Sequence, residues 1–229
     1  MRPAMSSPVV RAALGVVALL ALALPADAAR RSTESSATRV PARNQVDYAQ
    51  EAEAIRACAS STALPESVTM VAGAGEGGRI TVTRAVACFM KVVQAMADED
   101  EDAEEETAEI PLPKVDLEAL ELIVRFASGK AQAAGQDLAD LKFSVVPRPL
   151  PGPLAEQETV LSDDAALMDE VAQDLSKLFR LTNAANFVDC PGLLELCTAR
   201  IAQMFIGKTP QQIREVIPNA LTSRREVEG

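Results

Sequence analysis

The sequence predicts an α+β fold in which a small three-stranded sheet is covered by helices and followed by further C-terminal helices. Ser67–Val71 and Arg79–Thr83 are β-prone runs joined by a glycine-rich stretch, which is typical of a hairpin. Ile110–Val115 carries two prolines that restrict it to an extended edge segment, which fits a third strand. Helices are predicted because apolar residues recur at a spacing of about 3.6 along much of the remaining chain.

Two helices are predicted beside the third strand. Ala85–Met96 has the apolar spacing of an amphipathic helix that runs into an acidic stretch. Asp116 is placed to cap a second helix, predicted from Leu117 to about Ala127 with Gly129 as its stop.

The C-terminal part of the chain has its own helix signals. Ser162 is placed to cap a segment whose apolar positions continue to Leu181. Pro191 and Gly207 are suited to begin and end the next helix. Thr209-Pro210-Gln211-Gln212 is a capping box, in which a hydroxyl and a side-chain amide satisfy the free amides of a helix start.

Composition shifts divide the chain into segments. Residues 128–161 are rich in Ala, Gln, Gly and then Pro, which indicates a flexible insertion. A modest helical stretch, Tyr48–Cys58, lies in residues 45–61, but it has little apolar face, which favours a poorly ordered linker. The predicted organisation is a signal or targeting peptide at 1–29, a linker at 30–66, a sheet-and-helix domain at 67–188 with an acidic loop at 98–109 and the insertion at 128–161, and C-terminal helices at 189–229.

The N-terminal segment resembles a targeting signal. Arg2 and Arg11 precede an apolar run, Ala12–Leu24, and Ala26–Ala28 offers small residues for cleavage. The run is too short for a standard membrane span, so stable membrane insertion is not expected. A secretory signal, a bipartite organellar peptide, and an incorrect start codon or lineage-specific extension all remain open.

Charge and composition argue against nucleic-acid binding and against common enzyme classes. The net charge is −11, and Asp98–Glu109 contributes nine acidic residues and no basic ones. Nucleic-acid binding needs clustered Lys and Arg for phosphate contacts, and no such stripe occurs outside a few N-terminal arginines. The chain has no His, which removes the usual general base and the commonest metal ligand. Gly73–Gly78 has a displaced third glycine and precedes a strand, which excludes a dinucleotide fingerprint. No cofactor and no small-molecule substrate are expected.

The cysteines and the acidic run do not predict a metal site. Cys58, Cys88, Cys190 and Cys197 include no CxxC pair, so buried, inert thiols are predicted. Asp98–Glu109 lacks the alternating ligands and central glycine of a calcium loop. A solvated loop is the preferred interpretation of this run.

Four motifs together resemble the Skp family of cullin adaptors. They are, in order, Ile110–Val115, Ala184–Asp189, Gly192–Leu194 and Gly207–Arg214. The last of them, GKTPQQIR, is the most specific. The resemblance covers about Ser67 to Ile217.

The resemblance implies a fold, partners and contact residues. The fold would be a BTB/POZ-like domain with a C-terminal helical extension, and the protein a non-enzymatic adaptor of a cullin-RING (Skp–cullin–F-box) ubiquitin ligase of the cytoplasm and nucleus. Asn186 and Phe187 fall where the family contacts the cullin. The residues that build or support the F-box surface would be Leu193, Leu196, Ile201, Met204, Ile213, Val216 and Ile217.

Three alternatives remain. An adaptor of the elongin C kind would bind a different receptor box, but such proteins end before the helix at Thr209–Ile217. A protein of a secretory or organellar compartment could keep the fold without a ligase role. An enzyme is the least favoured, because the sequence has no His, no cofactor loop and no paired carboxylates.

Overall fold

The sheet of the computed structural model has β1 (Ser67–Ala74) at its centre, antiparallel to β2 (Gly78–Thr83) and parallel to β3 (Thr107–Asp116). Alternate residues of β1 face the core, as the two-residue period of a strand requires. The β1–β3 register is irregular between Ala72 and Ala74. A Cβ on the intervening Gly73 would lie 2.6 Å from Cα of Pro113, so glycine permits this close approach. The predicted hairpin and third strand are confirmed.

The structure describes residues 46–62, 64–74, 77–99, 107–135 and 137–222, which belong to one unit, Gln45–Gly229. The predicted signal peptide, the first part of the predicted linker and most of the predicted acidic loop lie outside the described residues.

The predicted linker is wrong where it overlaps helix α1 (Tyr48–Ser60). Asp47 caps this helix by accepting hydrogen bonds from the amides of Ala49 and Gln50, at 3.1 and 3.2 Å. The narrow apolar face is enough to bury Ala52 and Ile55 in the core. The order of this helix was not predicted because part of its stabilisation comes from contacts with residues that are distant in the sequence.

The predicted helix over Ala85–Met96 is divided into α2 (Arg84–Ala87) and α3 (Lys91–Glu99). The amides of Lys91 and Val92 donate to the carbonyls of Asp189 and Val188, at 3.4 and 3.3 Å. These amides therefore bond to a distant segment instead of continuing the helical ladder. We call residues 88–92 the α2–α3 corner.

Helix α4 (Leu117–Ala134) is longer than predicted, and the segment after it is ordered. Asp116 caps it as expected, accepting from the amide of Ala119 at 2.8 Å. The helix continues past Gly129 and stops at Gly135, whose φ of 79° suits glycine. The insertion predicted to be flexible instead buries several side chains against the core: Leu138, Leu141, Val146, Leu154 and Val160.

Four helices complete the described fold: α5 (Ser162–Val171), α6 (Leu175–Phe187), α7 (Pro191–Phe205) and α8 (Pro210–Thr222). The predicted Ser162 cap is wrong, because Ser162 is the first residue of α5 and Leu161 is its N-cap. The segment predicted from Ser162 to Leu181 is also broken before α6, where Asp174 accepts from the amides of Ser176 and Lys177. Pro191 begins α7 as predicted. The α+β class and the small sheet expected of a BTB/POZ-like domain are confirmed.

Candidate partner-binding surfaces

The C-terminal end of α6 presents the two residues predicted to contact a cullin. Asn186 is exposed, and Phe187 is half-buried. The ammonium of Lys114, on β3, lies 5.6 Å from the centroid of the Phe187 ring, within the range of a cation–π contact. Sequence reasoning did not select Lys114, although it lies within one of the motifs that carried the resemblance. We call Lys114, Asn186 and Phe187 the α6 edge.

The turn after the α6 edge is held mainly by backbone hydrogen bonds. Asp189 adopts a positive φ of 51°, uncommon for a residue other than glycine. The amide of Cys190 donates to the carbonyl of Ala185 at 2.9 Å, which closes the end of the helix. The α2–α3 corner adds two bonds, to Val188 and Asp189. A neighbouring part of the fold therefore contacts the turn that follows Asn186 and Phe187.

The seven predicted F-box residues separate into two groups. Leu193 and Leu196 are 0% and 1% exposed, so they belong to the core and can only support a surface from beneath. The remaining residues are half-buried and offer apolar atoms to solvent: Ile201, Met204, Ile213, Val216 and Ile217. Which apolar residues of α7 and α8 are buried depends on how these helices pack against the rest of the fold, and sequence spacing alone does not show this.

Helix α8 starts with the predicted capping box. The amide of Thr209 donates to Oε1 of Gln212 at 2.9 Å, and the amide of Gln212 donates to Oγ1 of Thr209 at 3.3 Å. Gly207, with φ of 74°, provides the preceding turn. Ile206, just before it, is 60% exposed and was not selected from the sequence, although a large apolar residue between two helices could have been noticed. We use the term α7–α8 face for six residues: Ile201, Met204, Ile206, Ile213, Val216 and Ile217.

The prediction of four free thiols is wrong for one pair. Cys58 of α1 and Cys88 at the α2–α3 corner form a disulfide, with their Cα atoms 5.9 Å apart. Cys190 and Cys197 are free and buried, as predicted, and burial raises the pKa of each thiol to about 12. Thirty positions separate the bonded pair, so no local motif indicated their pairing.

Polar contacts also attach α1 to the rest of the molecule. The Tyr48 hydroxyl donates to Glu195 of α7, and its ring stacks on Phe143 at 5.3 Å. Burial, followed by the hydrogen bond to Glu195, raises the pKa of Tyr48 far above its ordinary value. Arg148 pairs with the other oxygen of Glu195 at 3.0 Å. Glu195 is thus buried with two partners, which removes the cost of leaving its carboxylate unpaired.

A second buried polar cluster orders the segment after α4. Lys130 Nζ lies 2.5 Å from Oδ2 of Asp164, and the Ser144 hydroxyl donates to the same oxygen. Ser144 Oγ in turn accepts from the amide of Leu161 at 2.9 Å. Lys130 and Asp164 line a cleft of about 670 Å³, but their charges are satisfied by each other. We interpret this cluster as a structural clasp.

The described residues contain no cluster of three or more metal-ligating side chains placed to share an ion. Within these same ranges, we also find no helix with the length and apolar character needed to cross a membrane.

Comparison with known proteins identifies relatives over most of the region that carries these surfaces. The family model described as "Skp1 family, dimerisation domain" matches residues 191–222, which include α7 and α8. The chain is similar to SKP1-like protein 20 of Oryza sativa subsp. japonica, with 33% identity over 158 residues, 67% of this chain and 85% of that protein. It is similar to SKP1-like protein 1 of the same organism, with 30% identity over 155 residues, 67% of this chain and 86% of the relative.

A third relative comes from a different lineage. The SCF ubiquitin ligase complex protein SKP1b of Dictyostelium discoideum is 28% identical over 149 residues, 63% of this chain and 81% of that protein. The chain belongs to the Skp1 family.

Proposed function

We propose that this protein is a non-enzymatic adaptor that bridges F-box substrate receptors to a cullin within a ubiquitin ligase. One observation carries the proposal: the family-model match at 191–222 coincides with the helices whose apolar side chains remain partly exposed. Clustered apolar groups at a surface are typical of protein interaction sites. A relative whose name places it in an SCF ubiquitin ligase complex supports the same role.

The two surfaces have the character that an adaptor requires. The α6 edge offers an aromatic ring, an exposed amide and a cation, a mixture suited to a polar partner surface. The α7–α8 face offers aliphatic side chains on helices with well-defined starts. Binding energy at such interfaces comes from a few buried anchors. This role requires no reactive side chain, and ubiquitin transfer would be carried out by other subunits, in the cytoplasm and nucleus.

A reconstitution with two variants tests the proposal. Asn186→Asp with Phe187→Ala should weaken cullin binding at least about 30-fold, as expected when interface anchors are removed, and should leave F-box binding unchanged. Ile213→Asp with Val216→Asp should do the reverse, because each carboxylate would have to be buried against an apolar partner. Calorimetric titration with each partner separately measures both effects.

Each variant is the folding control for the other. Gln211→Asp is the control for adding a negative charge to α8, since Gln211 is exposed on the opposite face of the helix. This variant should bind both partners normally. Unchanged cullin affinity of the first variant would contradict the assignment of the α6 edge. Retention of F-box binding by the second would exclude the α7–α8 face.

The disulfide favours a second candidate function, in which the protein works in a secretory or organellar compartment without a ligase role. Disulfides persist in oxidising compartments and are rare in the cytosol. The signal-like sequence of residues 1–29 supports the same interpretation. The two observations are independent, because one concerns targeting and the other concerns the fold.

Purification of the endogenous protein through a C-terminal tag distinguishes the two candidates. For the adaptor, we expect mass spectrometry to find a cullin and F-box proteins among its partners, with residues 1–29 still attached. For the second candidate, we expect a mature N-terminus close to Ala28 and neither partner. Cleavage near Ala28 together with recovery of both partners would contradict the second candidate.

A further inference from the structure

The Cys58–Cys88 disulfide joins α1 to the part of the fold that supports the α6 edge. Cys58 is half-buried, whereas Cys88 is buried at the start of the α2–α3 corner. The Cys88 carbonyl accepts a hydrogen bond from the side-chain amide of Gln94 at 2.6 Å. Three residues after Cys88, Lys91 pairs with Glu51 of α1 at 2.8 Å. The corner is therefore held from the α1 side by one covalent bond and one ion pair.

The same corner is the support of the α6 edge. The amides of Lys91 and Val92 donate to Asp189 and Val188, which directly follow Phe187. These bonds, 3.4 and 3.3 Å long, are the direct connection between the corner and the turn. The positive φ of Asp189 also depends on the surrounding structure to be maintained. A change in the position of the corner would thus be transmitted to Asn186 and Phe187.

We propose that the Cys58–Cys88 disulfide is a redox-controlled staple that, by fixing the α2–α3 corner, sets the position of the α6 edge. This inference rests on the proposed adaptor function for its consequence in binding. A dithiol reductant attacks the bond and supplies two electrons and two protons. The S–S bond breaks, Cys58 and Cys88 become thiols, and the reductant is oxidised to its own disulfide. Cys58, which is half-buried, is the more accessible of the two bonded residues.

Reduction should loosen α1 without unfolding the molecule. The contacts of Tyr48, Glu51 and Ile55 remain, so α1 is still able to return to its place. Loss of a cross-link that closes a loop of this length should increase the open population of α1 on the order of 100-fold. The α6 edge should be affected less, because Cys190 still closes the end of the helix.

Hydrogen exchange of the full chain, followed by mass spectrometry, tests the staple without any partner. With dithiothreitol, we expect exchange to accelerate on the order of 100-fold in residues 48–60 and severalfold in residues 186–192, compared with the oxidised protein. The variant Cys58→Ser with Cys88→Ser should match the reduced protein and should not respond to dithiothreitol. Faster exchange in 48–60 with no change in 186–192 would overturn the proposal, as would non-reducing peptide mapping that finds no Cys58–Cys88 link.

Binding to the cullin used above separates the two proposals. The staple would be supported as a regulator of the α6 edge if reduction weakened cullin binding severalfold in the unmodified chain. Reduction should leave the affinity of the Cys58→Ser, Cys88→Ser variant unchanged. Equal affinity of the unmodified chain in both redox states would overturn the proposal. Absence of binding in either state would count against the adaptor function, and the exchange experiment would then decide the staple by itself.

Discussion

The buried ion pair of Lys130 and Asp164 helps to order residues 128–161, a segment with the composition of a loop. Both side chains are buried, and Ser144 connects the pair to the amide of Leu161 at the start of α5. Desolvation of two charges is costly, so the cluster stabilises the fold only as long as every member is present. Arg125 and Glu170 form a similar pair on the same two helices, at 2.8 Å, but both are largely exposed. The two pairs therefore differ mainly in burial.

Removing one charge from the buried pair should be far more damaging than removing one from the exposed pair. Lys130→Met leaves the Asp164 carboxylate buried without its cation, and we expect a loss of about 3–5 kcal/mol in the free energy of unfolding. Arg125→Met should cost less than about 1 kcal/mol. Lys130→Met with Asp164→Leu should recover much of the loss. Urea unfolding measures all three, and similar losses for the two single variants would contradict the role given to burial.

At the scale of elements, the sequence predicts those helices whose limits are set locally. The capping box of α8 and the Pro191 start of α7 were predicted because each depends on neighbouring residues. The break between α2 and α3 was missed because it depends on bonds to Asp189 and Val188, about 100 residues away along the chain.

As with the helices, the candidate surfaces were predictable where they depend on local sequence and not where they depend on packing. The resemblance selected Asn186 and Phe187 and the apolar residues of α7 and α8. It could not show that Leu193 and Leu196 are buried while Ile206 is exposed, since exposure depends on how helices pack. Nor could it indicate which cysteines pair, because the sequence contains no local pattern that selects one pair among the four cysteines.

At the scale of the whole molecule, α1 belongs to the fold. The predicted domain boundary at residue 67 would leave it outside. Yet α1 buries Ile55, stacks Tyr48 on Phe143, and is bonded covalently to Cys88. These contacts reach the sheet-side helices and α7 together, so the helix connects the two parts that the sequence separated. Its removal should therefore affect the stability of the whole unit.

Truncation from the N-terminus measures that contribution. A chain that begins at Gln45, where the described unit starts, is the reference for urea unfolding. A chain that begins at Leu64 lacks α1, and we expect a loss of roughly 5 kcal/mol from apolar burial and the disulfide together. Cys88→Ser in the full chain is the control for the disulfide alone and should account for only part of the loss. If the Leu64 chain were as stable as the full chain, α1 would be an appendage, and the boundary predicted at residue 67 would describe the folding unit.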